Sequence, residues 1–178
     1  MVFLHIDKNK YQDDGENLIE DLYKNTGDKD NKIFILIFME GCGPCNETRP
    51  EWSKLENVLS PEFLDRDDIY IYSIDHTLLD EKDKDKIKII QSPSSFPTMR
   101  FITNAGKSVE NYEDSNIENK DRSIDSFIEW IKSKTGEENI TKSEHNGGRK
   151  TRKTRKTRKI RKIRKTRKTR KTRRYSRK

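Results

Sequence analysis

Residues 33–59 decide the fold: Ile33-Phe34-Ile35-Leu36-Ile37-Phe38-Met39, then Glu40, then Gly41-Cys42-Gly43-Pro44-Cys45, then the stretch 46–59. The first seven are the only sustained apolar run in the chain, with the length and β-branched or aromatic content of a buried strand. Beyond Cys45, Trp52, Leu55, Val58 and Leu59 recur at helical spacing. Both cysteines therefore stand where a buried strand hands over to a helix. The first turn of a helix offers unpaired N–H groups and the positive end of the macrodipole, so a thiolate there is stabilised. Cysteines three positions apart lie on one side of a helical turn and can close a small disulfide ring. Gly43 removes bulk between them, and Pro44 stiffens the ring at an early helical position.

Cys42 and Cys45 are the only cysteines, so no structural disulfide framework exists, and the chain reads as made in a reducing compartment. The competing use of such a pair is half a zinc site. Zinc takes four ligands, yet there is no second pair, and His5, His76 and His145 fall at no ligand spacing. The reading is reversible dithiol–disulfide exchange, with Cys42 as the nucleophile at the helix start and Cys45, one turn in, as the resolving cysteine.

These residues resemble thioredoxin. Cys42-Gly43-Pro44-Cys45 matches that family's active-site motif with its usual intervening residues. Pro50 stands where the family has the proline that kinks the active-site helix, and Phe96-Pro97-Thr98 resembles its cis-proline segment. The resemblance spans residues 1 to about 135. It implies a thioredoxin-like α/β fold, a central mixed β-sheet flanked by helices, and a protein disulfide reductase. On that likeness Gly41, Gly43, Pro44, Phe96 and Pro97 form the substrate face, and backbone groups of Phe96 pair with an incoming extended peptide. No metal and no cofactor beyond the Cys42–Cys45 disulfide are implied. The partners are disulfide-containing protein substrates and an upstream thiol reductase, and a monomer is expected.

Three positions depart from the family. Its usual buried Asp, six residues before the first cysteine, is Leu36; the facing Lys aligns with Ile71; the Trp before the first cysteine is Gly41. An apolar pair in place of a charged one leaves the proton of Cys45 without its usual acceptor, for which water or Glu40 are the substitutes.

The remaining periodicities give the order β-α-β-α-β-α-β-β-α. Val2-Phe3-Leu4-His5-Ile6 is a strand, residues 7–15 a polar break, and 17–24 a helix on Leu18, Ile19, Leu22 and Tyr23. Ser60-Pro61 ends the active-site helix or starts an extra turn, and Ile69–Asp75 is a second buried strand. A charged helix is expected over 82–90, strands over 98–103 and 108–112 around a turn at 104–107, and a closing helix over 122–134. Trp52 and Trp130 read as core, and His5 and His76 as surface or strand-end residues without a role.

The net charge of +8 hides two opposite halves. From Arg149 onward there are 20 Lys or Arg and no Asp or Glu, which leaves 19 basic against 31 acidic residues before it, a net −12. Three parts follow: a domain over 1–135, a linker over 136–148 with Gly147-Gly148 as its joint, and a disordered tail over 149–178. The tail runs Arg149-Lys150, Arg152-Lys153, Arg155-Lys156, Arg158-Lys159 and onward in an Arg-Lys-Thr repeat. Its chemistry suits nucleic-acid phosphates or another polyanion, without base stacking or sequence readout, since Tyr175 is its only aromatic residue. An anionic membrane surface is a competing partner. The tail also resembles the basic low-complexity tails on proteins of large DNA viruses. The first ten residues lack the pattern of a signal peptide, and the seven-residue apolar run is far short of the ~20 needed to span a membrane. The expected location is cytoplasmic, with nuclear targeting by the tail or packaging in a virion as alternatives. A non-catalytic protein-binding module whose tail holds nucleic acid is the second functional reading.

Overall fold

Five strands, Val2–Ile6 (β1), Lys32–Phe38 (β2), Ile69–Asp75 (β3), Thr98–Thr103 (β4) and Ser108–Asn111 (β5), form one mixed sheet in the order β1-β3-β2-β4-β5. The structure, a computed structural model, describes residues 2–6, 11–79, 90 and 93–142. β1, β3 and β2 run parallel, whereas β4 is antiparallel to β2 and to β5. Helices α1 (Tyr11–Thr26), α2 (Gly43–Ser53), α3 (Leu55–Val58), α4 (Pro61–Leu64) and α5 (Ile124–Thr135) accompany the sheet, with 3₁₀ turns at His76–Leu78 and Tyr112–Asp114.

The unbroken apolar run of β2 follows from its place in the middle of the sheet, where both faces are covered. Phe34 and Leu36 enter one core with Trp52, Leu55, Phe127 and Trp130, while Ile33, Ile35 and Ile37 enter the other with Leu22, Tyr23, Tyr72 and Ile74. The pairing Phe38↔Asp75 makes β2 and β3 finish together, and Ile37↔Thr98 starts β4 at that same end. Three chain segments thus meet beyond the C-terminal end of the central strand.

Several elements differ in extent from the sequence reading. The first helix spans Tyr11–Thr26 and absorbs Gly15, which was expected in a polar break. The single helix expected over 46–59 is two. Pro50 lies inside α2, where it has no N–H to give; the ladder tightens at Lys54, whose carbonyl accepts from both Asn57 and Val58 at 3.0 and 3.2 Å. Leu59 then turns extended and pairs with Thr141. Ser60 and Pro61 start α4, Ser60 as its cap, accepting from the Phe63 N–H at 3.3 Å. Tyr112 belongs to a 3₁₀ turn, and its hydroxyl donates to Ser126 Oγ at 2.8 Å.

The domain does not stop at 135. After α5 closes on Gly136 at φ 75°, the chain returns to the core that holds Trp52 and Trp130: Ile140 is fully buried, and its carbonyl accepts from the Ser60 N–H at 2.8 Å. The compact unit accordingly reaches Lys142, so the first residues expected as linker belong to it. Residues 82–89 of the expected charged helix and the whole 149–178 tail lie outside the described residues. No helix among the described residues is long and apolar enough to cross a membrane.

Candidate active site

Strand β2 delivers the cysteines by a sharp turn. Gly41 sits at φ 78°, the left-handed region that a side chain enters only at a cost, and the Cys42 N–H closes the turn onto the Met39 carbonyl at 3.3 Å. A glycine in place of the family's tryptophan is what this turn asks for. Cys42 is the N-cap of α2, and its Sγ accepts from the Cys45 N–H at 3.4 Å. The helix opens on Gly43 and Pro44, so the missing N–H of proline falls where no intrahelical bond is due. Thr48, buried one turn further on, donates to the Pro44 carbonyl at 2.8 Å.

The two thiols are free and unequal: Cys42 is half-buried and Cys45 is fully buried. Burial pushes the Cys45 thiol up to about 11, and its hydrogen bond with Cys42 adds to this. A backbone hydrogen bond from Met39 and, least, the charge of Arg122 pull the other way.

Across from the cysteines, the Phe96–Pro97 peptide bond is cis, immediately before β4. The Cys42 S–H donates to the Phe96 carbonyl at 3.7 Å. The structure therefore gathers Gly41, Cys42, Gly43, Pro44, Cys45, Phe96 and Pro97 at one end of the sheet, as the sequence reading grouped them.

Leu36 and Ile71 are both fully buried in the core beneath α2, so no carboxylate stands at the position six before Cys42. Glu40, the suggested substitute, is 64% exposed and paired with Arg49 at 3.1 Å. The guanidinium of Arg49 in turn covers the Phe38 ring at 3.9 Å. The one fully buried carboxylate among the described residues is Asp75. Neither Asp75 nor the next residue, His76, was given a role from sequence. The signal was their position at the end of a buried strand that runs parallel to β2, which puts them at the cysteine end. Among the described residues, no group of three or more His, Cys, Asp or Glu is placed to hold a metal ion.

No family model matches the chain. A protein disulfide-isomerase of Ricinus communis is 23% identical over 114 residues, 64% of this chain and 20% of that protein. The chain thus spans about a fifth of the length of that relative. Similar solved structures include the J-Trx1 fragment of ERdj5 (17% identity, 76% of this chain and 52% of that one, TM-score 0.43). Form II of human ERp44 is 12% identical over 75% of this chain and 30% of its own, with TM-score 0.49. A thioredoxin of Malassezia sympodialis is 18% identical over 64% of this chain and 83% of its own, with TM-score 0.41. The sheet order, with a parallel half and an antiparallel hairpin either side of β2, and the CxxC turn at the end of that strand agree with the sequence motif. In fold, the chain is thioredoxin-like.

Proposed function

We propose that the protein is a thiol–disulfide oxidoreductase that reduces disulfides in proteins through Cys42 and Cys45. The observation that carries this is the inequality of the two sulfurs: a half-exposed Cys42 at the cap of α2, and a buried Cys45 one turn behind it. The Cys42 thiolate attacks a substrate disulfide, forming a mixed disulfide and expelling one substrate thiolate. Cys45 then attacks Cys42 Sγ, expels the second substrate sulfur and leaves the Cys42–Cys45 disulfide. Two electrons and two protons pass to the substrate, and an upstream dithiol reductase restores the pair. No further cofactor is needed. Gly41, Gly43, Pro44 and the Phe96–Pro97 segment would receive the peptide around the scissile bond. The Gly43-Pro44 pair places the couple at the reducing end, near about −270 mV and not about −180 mV.

Insulin-disulfide reduction under dithiothreitol tests the reading. Cys42→Ser should abolish turnover, and Cys45→Ser should trap mixed disulfides. Turnover by Cys42→Ser equal to the wild type would sink it. The apolar Leu36–Ile71 pair favours one other reading, a docking module without turnover, which the same assay separates.

The basic tail, Arg149 onward, would tether this activity to nucleic acid or another polyanion, and so set a cytoplasmic, nuclear or virion location. Truncation after Gly148 should leave insulin reduction within about twofold and abolish binding to duplex DNA. Binding by the full chain should weaken with salt at a slope of about −0.9 per phosphate contacted. Retention of DNA by the truncated protein would refute the tether.

A further inference from the structure

On the proposed activity rests a second feature of the cysteine end. β2 and β3 run parallel with Phe38 opposite Asp75, so the chain leaves β3 beside the cysteine turn. The Asp75 carboxylate is 1% exposed. Its Oδ1 accepts from the Thr77 N–H and the Thr77 hydroxyl, both at 2.9 Å, which fixes the 3₁₀ turn His76–Leu78. Its Oδ2 is buried without a donor among the described residues. His76 Nδ1 lies 3.3 Å from Oδ1, but it is not aligned for a hydrogen bond and is itself buried without a partner among the described residues. The His76 side chain as a whole is 32% exposed, so its inner edge faces the carboxylate and the rest reaches solvent. The imidazole packs against the Phe96 ring with centroids 4.7 Å apart. The carbonyl of Phe96 is the group that meets the Cys42 thiol.

A wall of contacts therefore runs from a buried carboxylate, through an imidazole and a phenyl ring, to the carbonyl beside the reactive sulfur. Two buried polar atoms left unpaired next to each other are a cost that an apolar pair would not carry. They lie where the wall meets the segment proposed to receive the peptide. We propose that His76, carried on the 3₁₀ turn that Asp75 caps, is a positioning residue that holds Phe96 in place to receive an extended peptide, and so favours protein disulfides over small ones. It touches neither sulfur and acts only through Phe96. Asp75 acts on the ring through the backbone, since its bonds to the Thr77 N–H and hydroxyl fix the 3₁₀ turn that carries His76. That ring in turn limits where the Phe96 side chain and carbonyl stand.

The test compares two substrates on the full chain, insulin and glutathione disulfide. His76→Ala should raise KM for insulin about fivefold, the size of one lost aromatic contact, with kcat within about twofold. The rate with glutathione disulfide should stay within about twofold, since no peptide strand docks. His76→Phe, which keeps a ring against Phe96, should restore most of the insulin KM. Asp75→Asn, which keeps the acceptor for Thr77 but loses the anion, should raise the insulin KM in the same direction and by less. Equal slowing on both substrates, or an unchanged insulin KM in His76→Ala, overturns the positioning role while leaving the activity standing. If His76→Ala does not fold, a His76→Phe variant whose insulin KM rises as much as that of Asp75→Asn overturns it equally. A wild-type protein inactive on both substrates overturns the activity reading, and this one with it.

Discussion

The two ends of the β2–β3 pair are built on opposite terms. Where the strands begin, Lys32 Nζ donates to Asp68 Oδ2 at 3.1 Å, and Arg66 grips both Asp68 oxygens at 2.7 and 2.6 Å. Arg66 also pairs with Glu137, beyond α5. Where the same strands finish, among the described residues Asp75 is buried with one oxygen unanswered and His76 Nδ1 has no hydrogen bond, and Cys45 holds a thiol that burial keeps neutral. Satisfied charges mark the end that holds the sheet together. Unsatisfied polar groups are buried at the end that carries the cysteines, and the Trp52 and Trp130 indole N–H groups, also without a partner among the described residues, lie in the core.

The sharpest way to break that contrast is to ask which sulfur reacts. A thiol pushed up to about 11 has roughly one part in ten thousand as thiolate at pH 7. Alkylation of the reduced protein followed by peptide mapping should label Cys42 first and Cys45 at least about a hundredfold more slowly. The Cys45 rate should climb about tenfold per pH unit until pH approaches 11. Because the folded chain holds that proton more tightly than the unfolded one, stability should fall over the same range, from the ordinary thiol value up to about 11. Equal labelling at neutral pH would mean that Cys45 is not shielded as described.

Leu36→Asp tests what the apolar core at that end withholds. An unpaired carboxylate would replace a fully buried leucine, with only Ile71, Met99 and other apolar groups of the same core at hand. The loss of packing and the buried charge together should cost about 4 kcal/mol in urea unfolding. The new acceptor should speed resolution by Cys45 about tenfold, because general-base assistance is worth at least that much. Leu36→Asn should show a similar loss of stability without the gain in rate. If both variants resolve at the wild-type rate, proton transfer from Cys45 already has another route.

At the opposite end, Asp68→Asn should cost about 1–2 kcal/mol and leave disulfide reduction unchanged. Arg66 first, and Lys32 after it, hold the Asp68 carboxyl well below the usual carboxylate range. A carboxyl lowered by folding contributes stability that is complete above the unfolded value, about 3.9, and is lost as pH falls below it. Acid unfolding of the variant should therefore be shallower than that of the wild type, and the two curves should converge at the lowest pH. Parallel curves would mean that the ion cluster contributes nothing.

How legible each part was follows from the range of the interaction behind it. The strand at 33–39 and the cysteine turn could be read because burial on both faces leaves a contiguous apolar run and because the turn chemistry is local. The split of the helix after Pro50 could be read only in part. Proline announces the irregularity, but the extended Leu59 exists because Thr141 pairs with it across more than eighty residues. Ile140 had no periodic company, so nothing local marked residues 136–142 as part of the core. Asp75 and His76 were missed for the same reason: each looks ordinary in the sequence, and their meaning comes from the parallel register that sets them at the cysteine end of the sheet.

The smallest expected effect lies on the loop that enters α5. Arg122, at φ 61° just before the cap residue Ser123, is among the described residues the one cation that draws Cys45 down, and it is the weakest of the influences on that thiol. Its guanidinium is also engaged by Glu113, with Nε at 3.3 Å and Nη2 at 2.8 Å from the same oxygen, which offsets part of its field. Removing the charge should therefore raise Cys45 only slightly above about 11. Alanine is a poor choice for this, because its side chain is strained at a positive φ and a fall in stability would mix with the electrostatic effect. Arg122→Gly removes the charge and relaxes the backbone together. It should slow alkylation of Cys45 at pH 9 about two- to threefold, whereas Arg122→Lys should keep the wild-type rate. A glycine variant as fast as the wild type, with the urea midpoint unchanged, would show that Glu113 screens the cation fully and that burial and the hydrogen bonds with Cys42 and Met39 set the Cys45 thiol.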